Sequence, residues 1–188
     1  MSRPITLLGR ALLGLLMEEP LSGYDIRRTF TQTPLATFSD SPGAIYPALA
    51  RLETDGLIRG RVERSVGLRQ RKVFQLTAAG QAAIESWLRT PVTRDAVVRD
   101  TDELMLRFSL MDRGLGKAAS VKFLRALQDE LRAYLPELTR YLDAHAREMP
   151  LSGRLALESG IRAYEAMLEW TRDALATYEG RGKIRRTS

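Results

Sequence analysis

The apolar spacing of this chain changes twice within its first 90 residues, and that double change narrows the fold more than any other feature. Up to Asp55 apolar residues recur at steps of three and four. Between Leu57 and Leu76 they come in short stretches on either side of a turn that contains Gly67. From Thr77 the steps of three and four return. The first and last patterns put one apolar stripe on a helix, and the middle one belongs to a hairpin.

The segment after Pro4 places Leu8, Leu12, Leu15 and Leu16 on one helical face, and Glu19-Pro20 stops it. Ser22 caps a short second helix, with Asp25 three residues on and Tyr24, Ile26 and Phe30 as its apolar side. Residues 31–40 are polar, contain Pro34 and are expected to be a loop. Ser41-Pro42-Gly43 opens a third helix, since serine caps well and proline fits the first position, where an N–H has no partner. Ile45, Leu49 and Leu52 form its buried stripe, Tyr46, Ala50 and Arg51 lie opposite, Pro47 should disturb its second turn, and Asp55-Gly56 ends it. Thr77 caps a fourth helix with Ile84, Trp87 and Leu88 inward. Three helices, a two-stranded ribbon and a helix in about 90 residues is the order of a winged helix-turn-helix.

The polar stretch 90–100, with Pro91, marks a domain boundary, giving domains 1–90 and 91–180 and a flexible basic tail at 181–188. The second domain is expected to be all-helical, so the fold class is mainly α. Leu104, Phe108 and Met111 mark a helix over 101–112. Two heptad-like series follow, one from Val121 to Met149 and one from Leu157 to Tyr178. Pro136 should kink or divide the first, and Pro150 and Gly153 mark a turn that leaves the two series antiparallel. No internal repeat is present.

Composition removes most chemistry. There is no cysteine, which excludes disulfides, thiol nucleophiles and cysteine-ligated zinc, and His145 is the single histidine. No phosphate-cradling glycine loop, catalytic triad or metal cluster occurs, so no enzyme activity and no cofactor are expected. No apolar run approaches the roughly 20 residues that span a bilayer, and Arg10 interrupts the run over 5–17 with no cleavage site after it, so a cytoplasmic location is expected. Arginine outnumbers lysine 25 to 4, from which no function is drawn. The net charge of +6 is uneven: +4 over residues 1–90, −2 over 91–180 and +4 over 181–188. Residues 59–72 alone hold six basic side chains against Glu63. A basic ribbon beside a helix-turn-helix points to a polyanion such as DNA.

The run from Ser41 to Ile58, SPGAIYPALARLETDGLI, resembles the signature of the PadR family of transcriptional regulators. Leu13-Gly14-Leu15-Leu16, the Pro20 to Ile26 run and the Arg71 to Gly80 run resemble the family's flanking helices, second wing strand and following helix. The likeness is strongest over residues 5–88. The length and helical pattern of 101–180 resemble the longer PadR subfamily, and the basic tail is not a family hallmark. The resemblance implies a homodimeric repressor that binds double-stranded DNA at an inverted repeat. It also implies modulation by a small molecule, of which phenolic acids and planar drugs are family examples.

On this reading the third helix is the recognition helix, and Ser41, Ala44, Tyr46 and Pro47 near its start face the major groove. Ser41 has the alternative of capping only, and Tyr46 of packing only. Arg51 and Arg27 are expected at phosphates. Tyr24 is either a phosphate contact or a core aromatic. Arg69, Arg71 and Lys72 are preferred to Arg64 as wing residues in the minor groove, with a solvated strand face as the alternative. Leu131, Leu135, Leu138, Leu142, Ile161, Tyr164, Leu168 and Leu175 are assigned to the dimer interface, against the alternative of an intrachain core. Gln128 and Thr171 could set register on those seams. Tyr164 and Trp170 are the candidates for a small aromatic effector. The competing functions are a winged-helix module that binds protein and a nonspecific DNA-coating protein.

Overall fold

The computed structural model describes residues 4–37, 41–64 and 70–180. The chain divides into two units, Met1–Thr90 and Pro91–Ser188. In the first, Thr6 starts α1 (Leu7–Leu16) by accepting a hydrogen bond from the Gly9 N–H at 3.2 Å. This helix buries Ala11, Leu12, Leu13 and Leu16. A two-residue strand, β1 (Leu21–Ser22), leads directly into α2 (Gly23–Gln32). Two residues are too few to show a strand period, and β1 leaves no sign in the sequence. Ser22 Oγ accepts from the Asp25 N–H at 3.2 Å and donates to the Asp25 carboxylate at 2.6 Å, satisfying the helix start.

The loop expected over 31–40 is shorter than that. α2 runs through Gln32, and Pro34–Thr37 forms a turn of 3-10 helix. The hydroxyls of Thr31 and Thr33 donate back to the carbonyls of Arg28 and Thr29, supplying end carbonyls with partners and carrying the helix on. α3 (Pro42–Thr54) continues unbroken through Pro47. It buries Ile45, Ala48, Leu49 and Leu52. Gly56, at φ +72°, makes the left-handed step into β2 (Ile58–Arg64). β2 pairs antiparallel with β3 (Gln70–Leu76), from Ile58 opposite Leu76 to Arg64 opposite Gln70. β3 is central, with β1 on its other edge. α4 (Ala78–Leu88) follows, capped by Thr77. The unit is a winged helix-turn-helix around Phe30, Ile26, Ile45, Leu49, Ile58 and Ile84.

The second unit is helical. The polar stretch 90–100, expected to mark the domain boundary, contains a short helix, α5 (Arg94–Arg99), capped by Thr93 and anchored by fully buried Val97. α6 (Thr101–Leu115), α7 (Lys117–His145) and α8 (Leu151–Tyr178) complete it. α7 is one helix through Pro136 and is not divided. Partners across α7 and α8 run in opposite senses, Arg125 with Glu179, Gln128 with Thr171 and Tyr134 with Tyr164. The two are therefore an antiparallel pair within one chain. Gln128 Nε2 donates to Thr171 Oγ1 at 3.3 Å, and both side chains are buried. Burying a polar group is costly unless it is bonded, so this pair holds the hairpin in one register.

Candidate nucleic-acid interface

The first turn of α3 is exposed at Ser41 and Gly43. Ser41 caps it, its Oγ accepting from the Gly43 N–H at 3.2 Å, and it remains exposed. Pro47 and Arg51 are exposed further along, and Ala44 is half-buried. Arg51 folds back on its own helix, Nε donating to the Pro47 carbonyl at 3.4 Å. Tyr46 packs and is exposed at once. A Cβ at Gly23 would lie 2.8 Å from its Cε1, so the ring rests on the start of α2 where only glycine leaves room, yet the residue is 45% exposed. Tyr24 is 65% exposed, so it is not a core aromatic. Arg27 is exposed beside it, and Arg28 pairs with Asp25 at 3.7 Å. Tyr24, Arg27 and the α3 start are thus all solvent-facing, and Tyr46 brings α3 against the start of α2.

The ribbon separates its charges by face. Strand alternation puts Arg59, Arg61 and Glu63 on one face, opposite Gln75, Val73 and Arg71. Arg71 lies 3.5 Å from Glu63, with both side chains about half exposed, a contact of little net strength. Arg59 and Arg61 are exposed and have no ion-pair partner among the described residues. They belong to the same surface as Arg71, whereas charge counting along the sequence shows them only as part of a cluster. Period-two alternation is the signal that finds them.

Lys72 is placed differently from Arg71. Lys72 stands on the other face, opposite Val62, and its ammonium is 2.6 Å from Glu53 Oε2 at the end of α3. That pairing turns it inward to α3, away from the arginine face. Glu53 Oε1 also accepts from the Gly60 N–H at 3.0 Å. The hydrogen bond from Lys72 holds the Glu53 carboxyl below the usual glutamate range. Arg69 lies outside the described residues, as does the basic tail 181–188.

In the second unit, Leu131, Leu135 and Ile161 are buried between elements of the same chain and have little surface left for a partner. Leu138, Leu142, Tyr164, Leu168 and Leu175 are half-buried, and Tyr141, Leu151 and Leu155 are at least half exposed at the turn end of the hairpin. Tyr164 packs edge-on against Tyr134 at 5.4 Å, and burial raises its hydroxyl pKa. Trp170 packs edge-on against Phe108 at 5.3 Å, and Phe108 also stacks on Phe123. Tyr164 and Trp170 therefore make ring contacts in separate aromatic clusters. A groove of about 590 Å³ lies on α7 and α8, lined by Arg125, Gln128, Arg172 and Glu179 among others, and neither aromatic lines it. His145 is exposed, stacks on Tyr141 and bonds through Nδ1 to its carbonyl. Among the described residues no cluster of histidine and carboxylates is placed to hold a metal ion, and no helix is long and apolar enough to cross a membrane.

Residues 12–86 match the transcriptional regulator PadR-like family, and residues 101–179 match the virulence activator alpha C-terminal family. A probable transcriptional regulator of Mycobacterium tuberculosis is 25% identical over 181 residues, covering 87% of this chain and 93% of that one. The negative transcriptional regulator PadR of Bacillus subtilis is 33% identical over 99 residues, 52% of each chain. The crystal structure of Bacillus subtilis PadR in complex with operator DNA aligns with 92% of this chain and 99% of that one, at 24% identity and a TM-score of 0.43. The first unit is thus similar to the PadR-like family of transcriptional regulators, and the second to the virulence activator alpha C-terminal family.

Proposed function

We propose that this chain is a homodimeric repressor that reads an inverted repeat in double-stranded DNA. α3 enters the major groove with Ser41, Ala44, Tyr46 and Pro47 leading, while Tyr24, Arg27 and Arg51 meet phosphates. Arg59, Arg61 and Arg71 on the ribbon lie along the flanking backbone or minor groove, and Arg69 is assigned to the DNA contacts with them. The observation that carries this reading is the coincidence, in one unit, of an exposed third-helix start and an arginine face on which two cations have no ion-pair partner among the described residues. A protein-binding module has no need of that face. The negative sign of regulation is supported by the description of the Bacillus subtilis relative. Dimerisation is supported by the apolar surface left at Tyr141, Leu151 and Leu155 and by the two-fold symmetry of an inverted repeat. Modulation by a small aromatic molecule rests on the family resemblance. The two units correspond to a DNA-binding and a dimerisation domain.

The test is fluorescence anisotropy with a duplex from upstream of the chain's own gene, against scrambled DNA, with sedimentation on the same sample. Competitor-resistant binding by a dimer is expected. Equal, salt-sensitive binding to both duplexes would replace the reading with a nonspecific DNA-coating protein. A monomer at micromolar concentration would remove the dimer.

A further inference from the structure

One carboxylate at the end of α3 holds both strands of the ribbon. Glu53 Oε1 accepts from the Gly60 N–H of β2 at 3.0 Å, and Glu53 Oε2 accepts from Lys72 Nζ of β3 at 2.6 Å. The Lys72 stem crosses Gly60 so closely that a Cβ there would lie 2.1 Å from Lys72 Cε and 2.8 Å from Glu53 Oε1. Any side chain at position 60 would thus displace both partners at once. The Lys72 ammonium also sits 5.3 Å from the ring of buried Phe74. Three elements therefore meet at a two-sided hydrogen bond with glycine underneath. Residues 55–57 are the covalent link between α3 and β2.

We propose that Glu53, Lys72 and Gly60 form a clamp that fixes the ribbon at one angle to α3, so that the α3 start and the arginine face reach a single duplex together. Glu53 is a positioning residue and touches no DNA. The inference rests on the DNA-binding reading above. It assigns Lys72 to the protein's own geometry and leaves Arg59, Arg61 and Arg71 as the ribbon's DNA contacts.

Charge and clamp predict opposite signs for Glu53→Gln in the full-length protein. The substitution removes an anion and frees Lys72 from its partner. If only charge mattered, DNA binding would tighten and the salt slope would steepen by about 0.9 as Lys72 took up a phosphate. The clamp predicts that affinity for the selected duplex falls roughly tenfold, about 1.4 kcal/mol. Hydroxyl-radical protection by α3 persists, and protection at the flanks touched by the ribbon disappears. Gly60→Ala, which changes no charge, gives the same loss of affinity. The double reversal E53K/K72E binds better than the product of its two single variants predicts, because it rebuilds the pair. A thermal melt of each variant separates misfolding from misplacement, and the coupling in the double reversal decides the matter if Glu53→Gln melts early. Wild-type binding with equal or tighter binding by Glu53→Gln, or additive single reversals, would overturn the clamp alone. Absence of wild-type binding to any duplex from a randomised pool would overturn the DNA-binding reading and the clamp with it.

Discussion

Gly80→Ala tests the packing that seats the ribbon on the helical core. In the first turn of α4 a Cβ at position 80 would lie 1.9 Å from the Leu57 carbonyl oxygen and 2.9 Å from its carbon. Ordinary contact begins near 3.4 Å, so α4 and residue 57 must part by about 1.5 Å. The Leu57 oxygen cannot move freely. It accepts from the Thr77 N–H at 3.1 Å and from Thr77 Oγ1 at 3.1 Å, and Thr77 also caps α4. Overpacking of this kind costs about 1–3 kcal/mol. Breaking both bonds adds about 2 kcal/mol. The better helix propensity of alanine returns about 1 kcal/mol. The net is a destabilisation of about 2–4 kcal/mol. For a unit of this size that lowers the melting temperature by roughly 10 °C or more. Scanning calorimetry of the full chain, with hydrogen exchange at the amides of Leu12 and Leu49, localises the effect to the first unit. Gly160→Ala on α8 is the contrast. Nothing lies within 4 Å of a Cβ there, and about 0.5–1 kcal/mol of stabilisation is expected. A Gly80→Ala protein that melts within two or three degrees of wild type would refute the close approach.

Gly23→Ala pushes against the Tyr46 ring, and it should weaken DNA binding in an anisotropy titration by more than it lowers the melting temperature. Leu131→Ala opens a hole in a fully buried part of the α7–α8 seam and should cost about 2–5 kcal/mol in denaturant unfolding. Lys72 holds the folded-state pKa of Glu53 down, so the stabilisation from their pairing is complete above the unfolded glutamate pKa near 4.5 and is lost as pH falls through the lower folded value. Stability measured from pH 6 downward should therefore fall less steeply in Glu53→Gln than in wild type.

The helices and the ribbon were legible because their apolar spacing is regular and their caps are explicit, as at Ser22, Ser41 and Thr77. Short elements were not. β1 has two residues and α5 has six, and each is held by pairing or by one buried valine more than by a pattern of its own. Within the candidate site, α3 and the basic ribbon were readable as elements, but the assignment of cations to faces was not. That assignment depends on register, and a slip of one residue exchanges the two faces. With Val62 opposite Lys72 and Arg61 opposite Val73, Lys72 falls beside Gly60 and within reach of Glu53, while Arg59 and Arg61 join Arg71. The heptad spacing of α7 and α8 likewise marks a seam without saying what fills it. The structure answers for part of it: Leu131, Leu135 and Ile161 are buried within the chain, and Gln128 bonds Thr171 across the intrachain pair.

The central claim is that the DNA interface comprises the α3 start and the arginine face of the ribbon. It is tested most directly by the salt dependence of binding for wild type and the double variant Arg59→Ala/Arg61→Ala on the same selected duplex. Removing one arginine from a phosphate should flatten the slope of log affinity against log salt by about 0.9, so a slope shallower by about 1.8 is predicted for the double variant, with site preference retained. A slope and affinity equal to wild type would contradict an interface built on the arginine face.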